Sequence, residues 1–129
     1  MQIDDTQFEA IVGAALDELP QKYTSNMQNV AIVYADEPTP AQRIELKLRC
    51  DQSLYGLYQG VPLTKRGSGY NLVLPDKITI FKNPLVASSH DLPDLKAKVK
   101  HTLWHEIAHH FGLGHDRIHM LERNNSQTH

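Results

Sequence analysis

The sequence predicts an α+β fold in which an N-terminal helix and a small β-sheet pack on a long helix near the C-terminus. Three observations predict it. An apolar stripe at three- and four-residue spacing runs from Phe8 to Leu19, short β-branched runs occur at Val30–Tyr34 and Ile78–Phe81, and a second, longer helical stripe runs from Leu95 to Phe111. At 129 residues the chain is expected to form one domain over residues 1–129, with the polar tail after Arg123 frayed.

Taken in order, Phe8, Ile11, Val12, Ala15, Leu16 and Leu19 share one helical face. Asp4, Asp5 or Thr6 can cap the first turn, and Pro20 stops the helix. Val30-Ala-Ile-Val-Tyr34, bounded by Asn29 and by Asp36-Glu-Pro38, reads as a strand. Thr39–Cys50 carries two signals. Thr39, Pro40 and Gln42 make a helix start with a capping-box partner. Yet Ile44, Leu46, Leu48 and Cys50 alternate with charged residues as in a strand. A short helix running into an extended stretch is expected. Leu54–Gly69, broken by Gly56, Gly60, Pro62, Gly67 and Gly69, reads as a loop. Leu72-Val-Leu74 and Ile78-Thr-Ile-Phe81 read as a hairpin turned at Pro75-Asp76, with Pro84 ending its second strand. The long helix begins at Asp91 with Pro93 in its first turn, and Gly112 and Gly114 end it.

Composition narrows the function. Thirteen Lys+Arg against fifteen Asp+Glu give a formal charge of −2, so no basic field would gather nucleic acid or anionic lipid. No apolar run approaches a membrane span. The first residues carry Asp4, Asp5 and Glu9 rather than a positive region before an apolar stretch, so no signal or transit peptide is expected. A lone Cys50 forms no internal disulfide and reads as a packed thiol, and a reducing cytoplasm is the simplest compartment.

The chemistry lies in the long helix, at His105-Glu106-Ile107-Ala108-His109. Residues four apart stand one turn above each other, so both imidazoles can reach one ion, on a face roughly opposite Leu103 and Ile107. Glu106 is offset beside them, where its carboxylate can take a proton from a water at the metal without being a ligand. Catalytic zinc usually takes three protein ligands. Gly112 can turn the chain back so that His115 supplies the third. H-E-x-x-H alone would arise by chance in roughly 2 of 100 such chains; adding Gly112 and His115 lowers that to roughly 1 in 10,000, so the longer motif is strong. Asp116 is a rival third ligand. His101, one turn before His105, reads as an ordinary histidine with a lesser chance of assisting the metal. His90, His110, His119 and His129 complete no ligand spacing. Gly67-Ser-Gly69 lacks the ending of a phosphate loop and reads as a flexible turn.

At these residues the chain resembles the zincin metallopeptidases, and through Gly112 and His115 the metzincin branch. More closely it is similar to a family of short bacterial proteins described as zincin-like or minimal zincin domains. The resemblance runs through Leu54–Gly60, Pro62–Gly67, Leu74–Phe81 and Thr102–Ile118, about half of the chain. It implies one zinc per chain, with His105, His109 and His115 as ligands and Glu106 as the base. Met120 comes too soon after His115 to match the methionine turn of metzincins, and no tyrosine follows the motif to help an oxyanion. A shortened substrate pocket is therefore expected.

The expected activity is peptide hydrolysis on a peptide or protein substrate, which could pair with Ile78–Phe81 if that strand forms the sheet edge. A zinc amidase acting on a small substrate would share every residue named. A zinc-binding interaction domain with little turnover suits the shortened pocket. An RNA nuclease with a similar three-histidine spacing ranks low, because its family has glycine where Glu106 stands. The sequence does not determine an oligomeric state.

Overall fold

The computed structural model describes residues 1–48, 55–67 and 75–113. Helix α1 (Asp5–Glu18) opens on a reciprocal cap. The Asp4 carboxylate accepts the Gln7 N–H at 2.7 Å, and the Gln7 side chain accepts the Asp4 N–H at 2.9 Å. Two donors that the first turn cannot satisfy internally are thereby paired. Phe8, Ile11, Val12 and Ala15 are buried along one face, as their spacing predicts. After Pro20 comes one further turn, α2 (Gln21–Thr24), too short to show a period in sequence. Strand β1 (Val30–Ala35) follows.

Helix α3 (Pro40–Leu48) decides the ambiguous segment in favour of the cap. The Thr39 hydroxyl accepts the Gln42 N–H at 3.1 Å, and the Gln42 side chain accepts the Thr39 N–H at 2.9 Å. The extended stretch expected at Arg49–Cys50 lies outside the described residues.

The sheet corrects two expectations. Gly56–Gln59 is a strand, β2, rather than loop, and a single 3-10 turn, Leu63–Lys65, follows it. Strand β3 (Asp76–Phe81) is central in the order β1-β3-β2. It runs parallel to β1, with Val30 opposite Asp76 and Ala35 opposite Phe81, and antiparallel to β2, with Gly56 opposite Ile80 and Gln59 opposite Lys77. Both sides of β3 are taken. Ile78–Phe81 is therefore no edge; Leu72–Leu74, expected to form a hairpin with it, lie outside the described residues. A tetrapeptide between breakers cannot display a period of two; its strand character comes from pairing and from the burial of Gly56, Leu57 and Tyr58. Helix α4 (Lys82–Ser88) begins directly after β3. Pro84 therefore sits in a first helical turn, where a missing N–H costs no hydrogen bond.

Helix α5 (Leu92–His110) is capped by Asp91, whose carboxylate accepts the Asp94 N–H at 3.0 Å. It ends as Gly112 predicts. Gly112 takes φ 76°, its N–H reaches the His109 carbonyl at 2.9 Å, and the Leu113 N–H reaches Ala108 at 3.1 Å. These two bonds satisfy carbonyls of the last turn and reverse the chain direction. No helix among the described residues is long and apolar enough to cross a membrane.

Tyr58, Ile78 and Ile80 join Phe8 and Ile11 of α1 and Leu95, Val99, Leu103 and Ile107 of α5 in the main core. Leu57, Phe81 and Ala35 cluster separately. While His109 is partly exposed, the middle of α5 is buried from Thr102 through Ala108, His105 and Glu106 included. Strand β2 is the reason. At Gly56 it lies so close to α5 that an added Cβ would stand 2.6 Å from Thr102 Cγ2 and 3.3 Å from Glu106 Cγ. Gly56→Ala should therefore cost ~1–3 kcal/mol, as overpacking does. A urea midpoint lowered at constant slope is the expected reading; an unchanged midpoint would mean that β2 does not sit on α5 in solution.

Candidate metal centre

His105, Glu106 and His109 are brought together by α5, with ligand atoms that all lie within 4.8 Å of one another. The two imidazoles have ring centroids 4.8 Å apart at 79°. Two nitrogens each ~2.1 Å from one zinc are at most ~4.2 Å apart, so this cluster closes on a single ion with little ring movement. Among the described residues it is the one group of three potential ligands placed in this way.

Glu106 is only 3% exposed, and β2 explains how a carboxylate is accommodated there. In an antiparallel pair, bonded and non-bonded positions alternate. The Phe81 N–H reaches the Tyr55 carbonyl at 2.8 Å, so the bonded positions of this strand are odd-numbered, and Tyr58 turns its N–H away from β3. That N–H meets Glu106 Oε1 at 3.0 Å. Sequence spacing places Glu106 beside the histidines; the structure adds that the edge strand holds it.

The profile of the zincin-like metallopeptidase family matches residues 27–125. The chain belongs to that family. No curated protein shows significant sequence similarity to it. Membership implies a zinc-binding site, and the imidazole and carboxylate donors on α5 suit that ion.

Of the other residues singled out in this zincin-like chain, His115 lies outside the described residues, as do Gly114, Asp116, His119, Met120 and His129. His101 is exposed, its ring stacked 6.5 Å from that of His105, and it is not part of the converging group. His90 is exposed at the start of α5, where its backbone N–H donates to Asp94 at 2.9 Å.

His110 is the unexpected histidine. It is fully buried, and its Nε2 accepts the Gln28 N–H at 3.2 Å. Only an unprotonated nitrogen accepts, so the ring is neutral with its proton on Nδ1. That atom faces the Tyr58 hydroxyl at 3.4 Å and Asp76 Oδ2 at 3.5 Å. Burial, then the Arg66 charge, hold the His110 pKa below its ordinary value, and Asp76 opposes them.

Asp76 is the hub of this network. Its Oδ2 accepts from both the Tyr58 hydroxyl and Arg66 Nη2, and its Oδ1 accepts the Val61 N–H at 3.4 Å. Arg66 also donates to the Val61 carbonyl at 2.8 Å and the Gln28 carbonyl at 3.3 Å. Burial alone would raise the Asp76 pKa, but the bonds from Tyr58 and Arg66 outweigh it and the carboxyl titrates below its usual range. The Tyr58 phenol is pushed well above its own, by burial first and by Asp76 second. Sequence periodicity could not find Tyr58, Arg66 and Asp76, since their role is contact across distant segments. Their one signal was position: each falls inside a segment that carries the family resemblance.

His105→Ala or His109→Ala should abolish tight zinc binding, a loss beyond the ~10–100-fold typical of removing a group behind a ligand. Competition titration against a zinc indicator measures it. Parent-like affinity in either variant would remove that residue from the ligand set.

Proposed function

We propose that this chain is a zinc-dependent peptidase in which His105, His109 and His115 hold one zinc ion and Glu106 is the general base. The observation that carries the reading is Glu106, a buried carboxylate between two convergent imidazoles and fixed at the edge of a sheet. A carboxylate spent on packing would be an expensive one to bury. When bound, zinc acidifies a water and polarises a substrate carbonyl.

The protein's own groups do the rest. Glu106 takes the proton of the attacking water at its carboxylate, and then delivers it to the departing amine nitrogen. Among the described residues β2 pairs with one strand only, so it, and not Ile78–Phe81, is the edge beside the base. An extended peptide laid along β2 would carry its backbone past Glu106. The substrate class is peptide or protein, with no nucleic acid or membrane partner, and the setting is the cytoplasm.

The test is turnover of a quenched fluorescent peptide library by zinc-loaded protein, by chelator-stripped protein and by the stripped protein after reloading. Cleavage that is lost and restored with zinc supports the reading. A zinc-loaded protein that cleaves no peptide but retains the metal would instead make this an interaction domain. His115→Ala should weaken zinc binding while leaving residual affinity; parent-like binding, with Asp116→Ala weakened instead, would transfer the third position to Asp116.

A further inference from the structure

Glu106 does not hold its own position unaided. Its Oε1 rests on the backbone N–H of Tyr58, and Tyr58 is fixed at the other end of its side chain. The phenol donates to Asp76, which sits at the start of β3 and is gripped by Arg66 from beyond the 3-10 turn. His110, at the end of α5, closes the group on the helix side, 3.4 Å from the phenol oxygen. Tyr58 is 1% exposed, Asp76 3% and His110 0%. The Arg66 side chain is 8% exposed. Such burial of two charges and a phenol is costly unless every partner is in place, and removing one partner loosens the rest.

We infer that Tyr58 is a positioning residue for the glutamate base: its buried hydroxyl, clamped by Asp76 and Arg66, fixes β2 so that its backbone N–H holds Glu106 Oε1 beside the metal ligands. This rests on the peptidase reading for its effect on rate, but not for its effect on the strand. The physical reason is leverage. Among the described residues the four-residue strand β2 pairs with β3 alone, and a base displaced by about 1 Å can lose ~10²-fold in rate. The clamp anchors the face of β2 that meets α5. Tyr58 touches no reacting atom in this scheme. It acts through Glu106.

The test uses the full chain loaded with zinc, and Tyr58→Phe, which keeps the ring and the backbone N–H and removes only the hydroxyl. The expected result is a kcat lower by ~10- to 100-fold, with zinc affinity changed by no more than about twofold, since the metal ligands are not altered. Amide hydrogen exchange at residue 58 should quicken by ~10-fold or more relative to the amides of Leu103 and Ile107 in α5. Glu106→Ala should quicken the same amide by removing its acceptor.

An unchanged residue-58 amide in both variants, or an unchanged kcat in Tyr58→Phe, would overturn the inference. So would parallel quickening of the α5 amides in Tyr58→Phe, because the hydroxyl would then stabilise the whole fold rather than place the strand. Should Tyr58→Phe fail to fold, Glu106→Ala decides: a residue-58 amide as slow as the parent's means that Glu106 is not held there. If the zinc-loaded parent turns over no peptide, the peptidase reading fails, while the exchange measurements still decide whether the strand is clamped and holds Glu106.

Discussion

Glu106→Gln should fold, take up zinc like the parent and lose ~10²–10⁴-fold in kcat, the usual consequence of removing a general base. The substitution is nearly isosteric, and the amide oxygen can still accept the Tyr58 N–H that Glu106 Oε1 accepts at 3.0 Å. What the amide cannot do is take a proton from water at neutral pH. Glu106→Gln therefore separates the chemistry from both the metal and the packing, provided that zinc is measured in both samples, since metal loss would imitate loss of the base. Equal hydrolysis by parent and variant would mean that Glu106 is not the base.

Asp76→Ala should be the most destabilising of the substitutions considered, by ~3–5 kcal/mol, the cost of leaving one partner of a buried ion pair uncompensated. Arg66 and Asp76 have side chains 8% and 4% exposed, and the Tyr58 hydroxyl and the Val61 N–H would lose their acceptor as well. The same residue makes stability depend on acid. Its folded pKa lies below the ordinary 3.8, so the unfolded chain binds its proton first on acidification. The stabilisation is whole above pH ~4 and is lost as pH falls through the folded value. Denaturant unfolding of parent and variant should differ most above pH ~4 and converge at lower pH. A constant difference across that range, or a loss below ~1 kcal/mol, would mean that the ion pair does not form in solution.

Legibility in the sequence follows the physics of each element. Caps and glycine stops are local, so a cap among Asp4, Asp5 and Thr6 for α1, the Thr39 cap of α3, a start of α5 near Asp91 and its Gly112 stop could be read directly; the structure puts the caps at Asp4, Thr39 and Asp91. The same holds for the i, i+4 pair His105 and His109, because helical geometry alone stacks them. Strand β2 was not legible. Its four residues lie among glycines and a proline, and only pairing with β3 makes them a strand. That one omission propagated. With β2 missing, Ile78–Phe81 was expected to pair with Leu72–Leu74, and whether it formed the sheet edge was left as a condition. His110 was unreadable for a related reason, since its partners Gln28, Tyr58 and Asp76 are 82, 52 and 34 positions away. The third ligand remains a matter of sequence, because His115 lies outside the described residues.

The metal site is tested most directly by elemental analysis of the purified chain, followed by zinc titration of the chelator-stripped protein. One zinc per chain, removed by chelator and taken up again, is the predicted result. A protein that carries no zinc and takes up none on titration would contradict the assignment of His105 and His109 as ligands.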